Sequence, residues 1–507
     1  MTTLLKQYLN PDLQQLNTEI DNFNPTNTML TRKWSSEMKN KLKTWMYTFL
    51  VNFDTLVKEF DYTKIKHKKQ TTKLDKKTNP TLYKLLCEFI QKYPDDMKNI
   101  CINSLGNEAF NQLKSSCLKG ANQLGDWINT YSNQIYRGHN NSWVNTLENY
   151  TKNSVNVELN RLGKKLVNHM NLYNEFMSFQ IQRDIEKGFM YLYKYTDEYL
   201  EFEVESDYKI DLESHYWKFL YARMKIMARM HQKNKLISFK IFLSNQVKQL
   251  PKGRLFGPKE VNSGSTDYHT IRIWREEEHY KLLIHESIHF YNLDGSFDLF
   301  SENNKINLEC VYQIGDHNET RIYEAYTESL TIFFHTFANA YQIYYLANPD
   351  LKTIPLNKKE INDDIYDIWI HLWEKEKKFG VLQVAKIFNH INPRSTTFSD
   401  FLIKSNKTCK KERNENKNKL EQRTAVLSYH FLKTANLIFD QEFLKWIPDL
   451  ENPHPGSLSK FAKFVKTLTH NQTFINVINE GLIYIKRKKH ISKSMRMSFY
   501  DVKVKQT

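Results

Sequence analysis

The stretch of the chain best equipped for chemistry is His285-Glu286-Ser287-Ile288-His289. A helix places residues four apart on one face, so both imidazoles can grip one metal ion. Glu286 lies about 100° around such a helix from His285, near enough to take a proton from an activated water without itself being a ligand. Zn2+, one ion, is the natural occupant of two nitrogens and a carboxylate: it leaves a fourth position open and makes water acidic enough to attack near neutral pH. Composition alone predicts about 0.03 chance matches to HExxH in this chain, which makes the motif suggestive and leaves the decision to its context. Leu283, Ile284 and Ile288 flank it and predict an interior helix, where two histidines need partners that a metal would supply.

A third ligand is needed. The extended pattern HExxHxxGxxH fails, because Asn292 and Gly295 stand where its Gly and third His belong. Asp294 could turn back, although a helix running to Gly295 would carry it about 140° around from His289. The better candidate is Glu324 in NETRIYEAYTESLTIFF, with Glu328 one turn later on the same face. Glu324 would bind the metal, and Glu328 would accept the N–H of a ligating histidine and fix its tautomer. Apolar neighbours such as Tyr326, Leu330 and Phe333 make a solvated acidic face a poor alternative. His335, three turns beyond Glu324, is too far along to share the metal. An oxyanion formed during amide hydrolysis wants a hydrogen-bond donor, and Tyr429 and His430 in RTAVLSYHFLK are the candidates.

HESIH followed by EAYTE resembles the gluzincin group of zinc metallopeptidases, which pair HExxH with a downstream glutamate on another helix. More narrowly, VNSGST, TIRIWREEEHYKLLIHESIHFYNLD, RIYEAYTES and TAVLSYHFLK are similar to uncharacterised metallopeptidases encoded by giant nucleocytoplasmic DNA viruses, over roughly residues 235–440. The resemblance implies a zincin-like domain whose strand before the metal helix is an edge that pairs with an extended substrate. That implicates Val261–Thr266, with Asn262, Ser263 and Gly264, or the neighbouring Thr270–Trp274. A peptide or protein substrate follows from such pairing.

These motifs must be carried by elements. The chain has 507 residues, 40% hydrophobic and 14% aromatic, with only 14 glycines and 12 prolines. That composition excludes wholesale disorder and predicts a helix-dominated protein of more than one domain. The expected class is α+β, predominantly α-helical: an all-α N-terminal domain over 1–208, a zincin-like catalytic domain with a small sheet over 209–450, and a helical C-terminal segment with a basic tail over 451–507. LISFKIFLS, VNSGST and TIRIW are the expected strands, and YLEFEVESDYKI, near Tyr199 to Ile210, reads as a strand or a domain boundary. Ser329–Ala347 is nearly long enough to cross a bilayer, but His335, Asn339 and Gln342 interrupt it, and it reads as a buried helix rather than a transmembrane segment. Five scattered cysteines without a CxxC pair, and no signal-peptide pattern, fit a cytoplasmic or virion-associated protein in a reducing compartment.

A net charge of +16 favours polyanions, and basic residues concentrate in Lys64–Lys77, Lys404–Lys419 and Tyr484–Arg496. Solvated linkers and a tail explain these runs, and weak polyanion binding is the functional alternative. The competing reading of the whole chain is therefore a basic, helix-rich virion or nucleic-acid-associated protein whose zincin scaffold is catalytically unused. Oligomeric state is not legible.

Overall fold

A computed structural model describes residues 7–501 apart from 10–12, 27–29, 31–33, 71–81, 137–141, 171–176, 268, 297–311, 313, 315–320, 350–362, 403–418 and 489. Helix predominates, around one small mixed sheet. The strands are β1 (Lys66–Lys69), β2 (Tyr191–Thr196), β3 (Leu200–Ser206), β4 (Ile237–Phe242), β5 (Leu255–Phe256), β6 (Gly264–Thr266), β7 (Thr270–Ile273) and β8 (Glu421–Gln422). Six of them form a sheet in the order β1-β2-β3-β4-β7-β6, and β5 pairs with β8 separately. The β3–β4 and β4–β7 pairs are parallel and the others in the large sheet antiparallel.

Three strands precede residue 208, so the sheet begins inside the region expected to be all helical. The signal was the alternation in YLYKYT and LEFEVES: Tyr193, Tyr195, Leu200, Phe202 and Val204 are buried while Lys194 and Glu201 are exposed. Asp197 makes the hairpin turn by accepting the backbone N–H groups of Tyr199 and Leu200.

Six long helices matter to the site: α1 (Ser36–Glu59), α2 (His215–Met230), α3 (His279–Phe290), α4 (Ile322–Ala347), α5 (Asp363–Ile391) and α6 (Gln472–Arg487). Helix α2 is the crossover that the parallel β3–β4 pair requires, and its Trp217 stacks on Phe202 of β3 at 6.2 Å. Helix α4 is buried along nearly its whole length. Phe49 of α1 stacks on its Phe334 at 5.5 Å, and Arg223 of α2 donates to its Asn339 and Gln342. Polar residues that interrupt an apolar run thus serve internal bonds, and among the described residues no helix is long and apolar enough to cross a membrane. The main apolar core draws on residues 9–65 together with 193–500, whereas 82–170 close a second core of their own. Packing therefore cuts across the expected boundary at 208.

The C-terminal segment also departs from expectation. After α6 the chain does not leave as a solvated tail: Met495, Met497, Phe499 and Tyr500 are buried. Glu278 accepts the N–H groups of Met497 and Ser498 at 2.8 and 2.6 Å, and Glu376 accepts Ser498 Oγ at 2.6 Å and Phe499 N–H at 3.0 Å. Lys386 and Lys433 donate to the carbonyls of Ser494 and Met497. Arg496, inside one of the basic runs, is buried against Asp501. A segment without helix or strand must find other partners for its main-chain polar groups, and here buried ionic side chains supply many of them beside the main-chain bonds to Lys248 and Leu250. Of the other basic runs, Lys66–Lys69 form the exposed edge strand β1, where lysines discourage further strand pairing, and Lys404–Lys419 lie almost wholly outside the described residues.

Deleting residues 490–507 would strip the Glu278 and Glu376 carboxylates of buried donors and remove four large apolar side chains, Met495, Met497, Phe499 and Tyr500, from the main core. The expected outcome is loss of the cooperative thermal transition of the main core, measured by near-ultraviolet circular dichroism, while far-ultraviolet helix signal from 82–170 persists.

Candidate metal centre

Helix α3 carries the HESIH motif through the interior, and its residues from His279 to Ile288 are buried. It is fastened at both ends. Glu278 precedes it in a left-handed conformation (φ 62°), with its carboxylate held by Lys248 at 2.7 Å and its N–H donated to Asp501. At the other end the helix stops at Phe290, earlier than a Gly295 stop implies, because Asn292 takes the left-handed conformation (φ 52°) and Leu293 N–H returns to the Ile288 carbonyl.

That early stop changes the role of Asp294. Off the helix, it folds back to accept His289 Nδ1–H at 2.6 Å, and also accepts Thr327 Oγ1–H at 2.7 Å and Ser296 N–H at 3.1 Å. It orients an imidazole and is not the third member of the cluster. Glu328 faces the other imidazole, its Oε2 2.9 Å from His285 Nδ1, close enough for an ion pair although not aligned as a hydrogen bond. Each ring therefore presents Nδ1 to a carboxylate, which leaves both Nε2 atoms turned toward one another at 3.1 Å. Glu324 Oε2 completes the group, 3.2 Å from His289 Nε2 and 3.4 Å from His285 Nε2. His285, His289 and Glu324 are, among the described residues, the group able to hold a metal ion.

Electrostatics follow from this crowding. Burial opposes charge on His289, but Asp294 and Glu324 outweigh it and hold its pKa well above the ordinary value. His285 is raised in the same way by Glu324 and Glu328. Glu324 and Asp294 are held low, against burial, chiefly by His289. Glu328 is held low by Lys281, whose Nζ lies 2.6 Å from Oε1 with both side chains fully buried. Lys281 was missed from sequence; its signal is a lysine four residues before His285, on the same face of an apolar helix.

Glu286 stands next to His285 with its carboxylate against β6: Thr266 Oγ1 donates to Oε2 at 2.5 Å. Tyr429 reaches the site, its ring 6.3 Å from that of His285, from a π-helical turn spanning Leu427–Leu432. Burial and the charge of Glu324 push the Tyr429 hydroxyl far above its ordinary pKa, keeping it an O–H donor. His430 does not join it. It is fully buried, neither ring nitrogen has a partner among the described residues, and burial with Lys433, Lys248 and Lys386 nearby keeps it neutral. Tyr323, beside Glu324 in sequence, was overlooked; its ring packs edge-on to His289 at 5.8 Å.

Of the implicated edge residues, Asn262 and Ser263 are buried ahead of the strand. Asn262 Oδ1 accepts Thr424 and its carbonyl accepts Arg275, while the Ser263 carbonyl accepts Trp274 N–H. Of these three only Gly264 belongs to β6 (Gly264–Thr266), which ends the sheet among the described residues, while the alternative Thr270–Trp274 contains β7, which lies inside the sheet between β4 and β6.

Two outcomes are expected. Because both imidazoles are raised, an ion must displace protons to bind: in a calorimetric titration with a divalent ion, affinity should fall as pH drops from about 8 to about 6, with proton release detected by buffers of different ionisation enthalpy. Lys281→Ala should leave Glu328 buried without its cation and cost about 3–5 kcal/mol, read by denaturant unfolding of the metal-free chain.

No protein-family model, no curated protein and no solved structure matches this chain, so its chemistry rests on the geometry of the site itself.

Proposed function

We propose that the chain is a zinc metallopeptidase of the gluzincin type, with His285, His289 and Glu324 as ligands. The observation that carries this reading is the convergence of His285 Nε2, His289 Nε2 and Glu324 Oε2 within 3.1–3.4 Å beside Glu286, a glutamate outside that group. Corners of a tetrahedron with bonds of ~2.0–2.1 Å lie about 3.3–3.4 Å apart, so this donor set suits zinc in size as in chemistry. Two nitrogens and one carboxylate also leave a fourth position for the reaction, as catalytic rather than structural sites do.

When bound, zinc supplies Lewis acidity, which acidifies water and polarises a substrate carbonyl. Glu286 accepts the proton of the attacking water and delivers it to the leaving amine. Tyr429 donates its O–H to the oxygen that gains charge. Asp294 and Glu328 hold the imidazoles in the tautomer whose Nε2 faces the centre. Strand β6 orients the substrate. Ser263 O and Asp267 N bond to Trp274 and Thr270 at the two ends of β7, and antiparallel alternation then turns the N–H and C=O groups of Gly264 and Thr266 outward, where they pair with no strand among the described residues and can meet an extended peptide.

In the test, Glu286→Gln keeps one zinc per chain and loses about 10²–10⁴-fold in kcat on a quenched-fluorescence peptide library. Glu324→Ala loses the metal. Undiminished cleavage by Glu286→Gln would overturn the assignment, and salt-sensitive nucleic-acid binding by a chain that cleaves nothing would favour a non-enzymatic scaffold.

A further inference from the structure

Strand β6 does more than end the sheet, because it is packed directly against the side chain of Glu286. A Cβ built on Gly264 would lie 2.5 Å from Glu286 Oε1 and 3.1 Å from its Cδ and Cγ. Any larger residue would have to displace the carboxylate. Two residues on, and so on the same face of the strand, Thr266 Oγ1 lies 2.5 Å from Glu286 Oε2 and 3.2 Å from the Glu286 carbonyl. A hydroxyl has one proton, and the nearer acceptor, the carboxylate oxygen, takes it. One residue leaves room and the other supplies the donor. The carboxylate is thus bounded on Oε1 by main chain and on Oε2 by a hydroxyl, both borne by the strand whose outward main-chain groups would receive the substrate.

We propose that Thr266 is the positioning residue of the Glu286 carboxylate, and that the G-x-T spacing of Gly264 and Thr266 ties the placement of this base to the strand that binds substrate. The proposal rests on the peptidase reading for its catalytic consequence but not for its structural one. With one oxygen occupied by Thr266, the other oxygen of Glu286 is the one left to handle the proton. Thr266 touches neither the reacting atoms nor the metal ligands through its side chain, so its effect belongs to kcat. Its main chain, which would contact the peptide, is unchanged by substitution of the side chain.

The experiment compares wild type, Thr266→Val, Thr266→Ser and Gly264→Ala as full chains with one bound zinc each. Thr266→Val is near-isosteric and removes only the donor; leaving the carboxylate oxygen without it should lower kcat by about 10–10²-fold with KM changed by less than about twofold. Thr266→Ser restores the hydroxyl and should recover most of kcat. Gly264→Ala should lower kcat by displacing the carboxylate while zinc content stays at wild-type level. Crystal structures of the same zinc-loaded proteins give a readout independent of turnover: Glu286 should leave its wild-type rotamer in Thr266→Val and return to it in Thr266→Ser. Wild-type kcat in Thr266→Val, or an unmoved Glu286 in its crystal structure, overturns the proposal. If the zinc-loaded wild type cleaves no peptide, the peptidase reading falls, and the Glu286 rotamers alone decide the role of Thr266.

Discussion

Three atoms that each carry a lone pair, His285 Nε2, His289 Nε2 and Glu324 Oε2, are held 3.1–3.4 Å apart in the interior, and the rest of the structure is arranged around that crowding. Such atoms repel unless a proton or a cation lies between them. Their orientation is not accidental, since each imidazole is turned by a carboxylate on its far nitrogen, Glu328 for His285 and Asp294 for His289. Counting directly paired groups, Glu324, Glu328 and Asp294 contribute three negative charges and Lys281 one positive. With neutral histidines the balance is −2, which a divalent ion cancels. A buried charge imbalance of that size is costly, and it is cancelled either by protons on the two raised imidazoles or by a divalent ion that displaces them.

Holding two helices in this register demands a stiff frame. Helix α3 is fixed at its start by Glu278, whose carboxylate and N–H are both bonded, and the donors come largely from the last stretch of chain, Met497 and Ser498. Helix α4 is fixed by aromatic packing against α1 and by Arg223 of α2. The C-terminal segment therefore reaches the start of helix α3 through main-chain bonds rather than through surface contact. Lys281 extends the same frame inward: it joins Glu328 to Met497 Sδ, 3.5 Å away, so the orientation of His285 depends on residues more than two hundred positions further along the chain.

Much of this was legible in the residues themselves. The HExxH spacing, the carboxylate pair four residues apart in an apolar helix, and the strands β4, β6 and β7 all follow from periodicity, which is local. What escaped was non-local or set by backbone conformation. Asp294 could not be placed, because the left-handed turn at Asn292 ends α3 before Gly295, and a residue judged by helical angle then stood in the wrong place. Tyr429 and His430 are adjacent and so point about 100° apart on a helix, which lets at most one of them face the site, and from the π-helical turn it is Tyr429 that faces His285. The basic run ending at Arg496 reads as solvated tail, since nothing local announces that Glu277, Glu278 and Asp501 wait for it in the interior. The alternation of β2 was open to inspection but was absorbed into a helical region by its neighbours, whereas the segment that carries β3 already reads as a strand or boundary.

The central claim concerns coordination, and zinc-edge X-ray absorption on the zinc-loaded full chain tests it most directly. The account predicts a first shell of two imidazole nitrogens and one or two oxygens at ~2.0–2.1 Å, with loss of the imidazole scattering in a His285→Ala, His289→Ala double variant. A shell containing sulfur at ~2.3 Å, or a signal unchanged in the double variant, would contradict it.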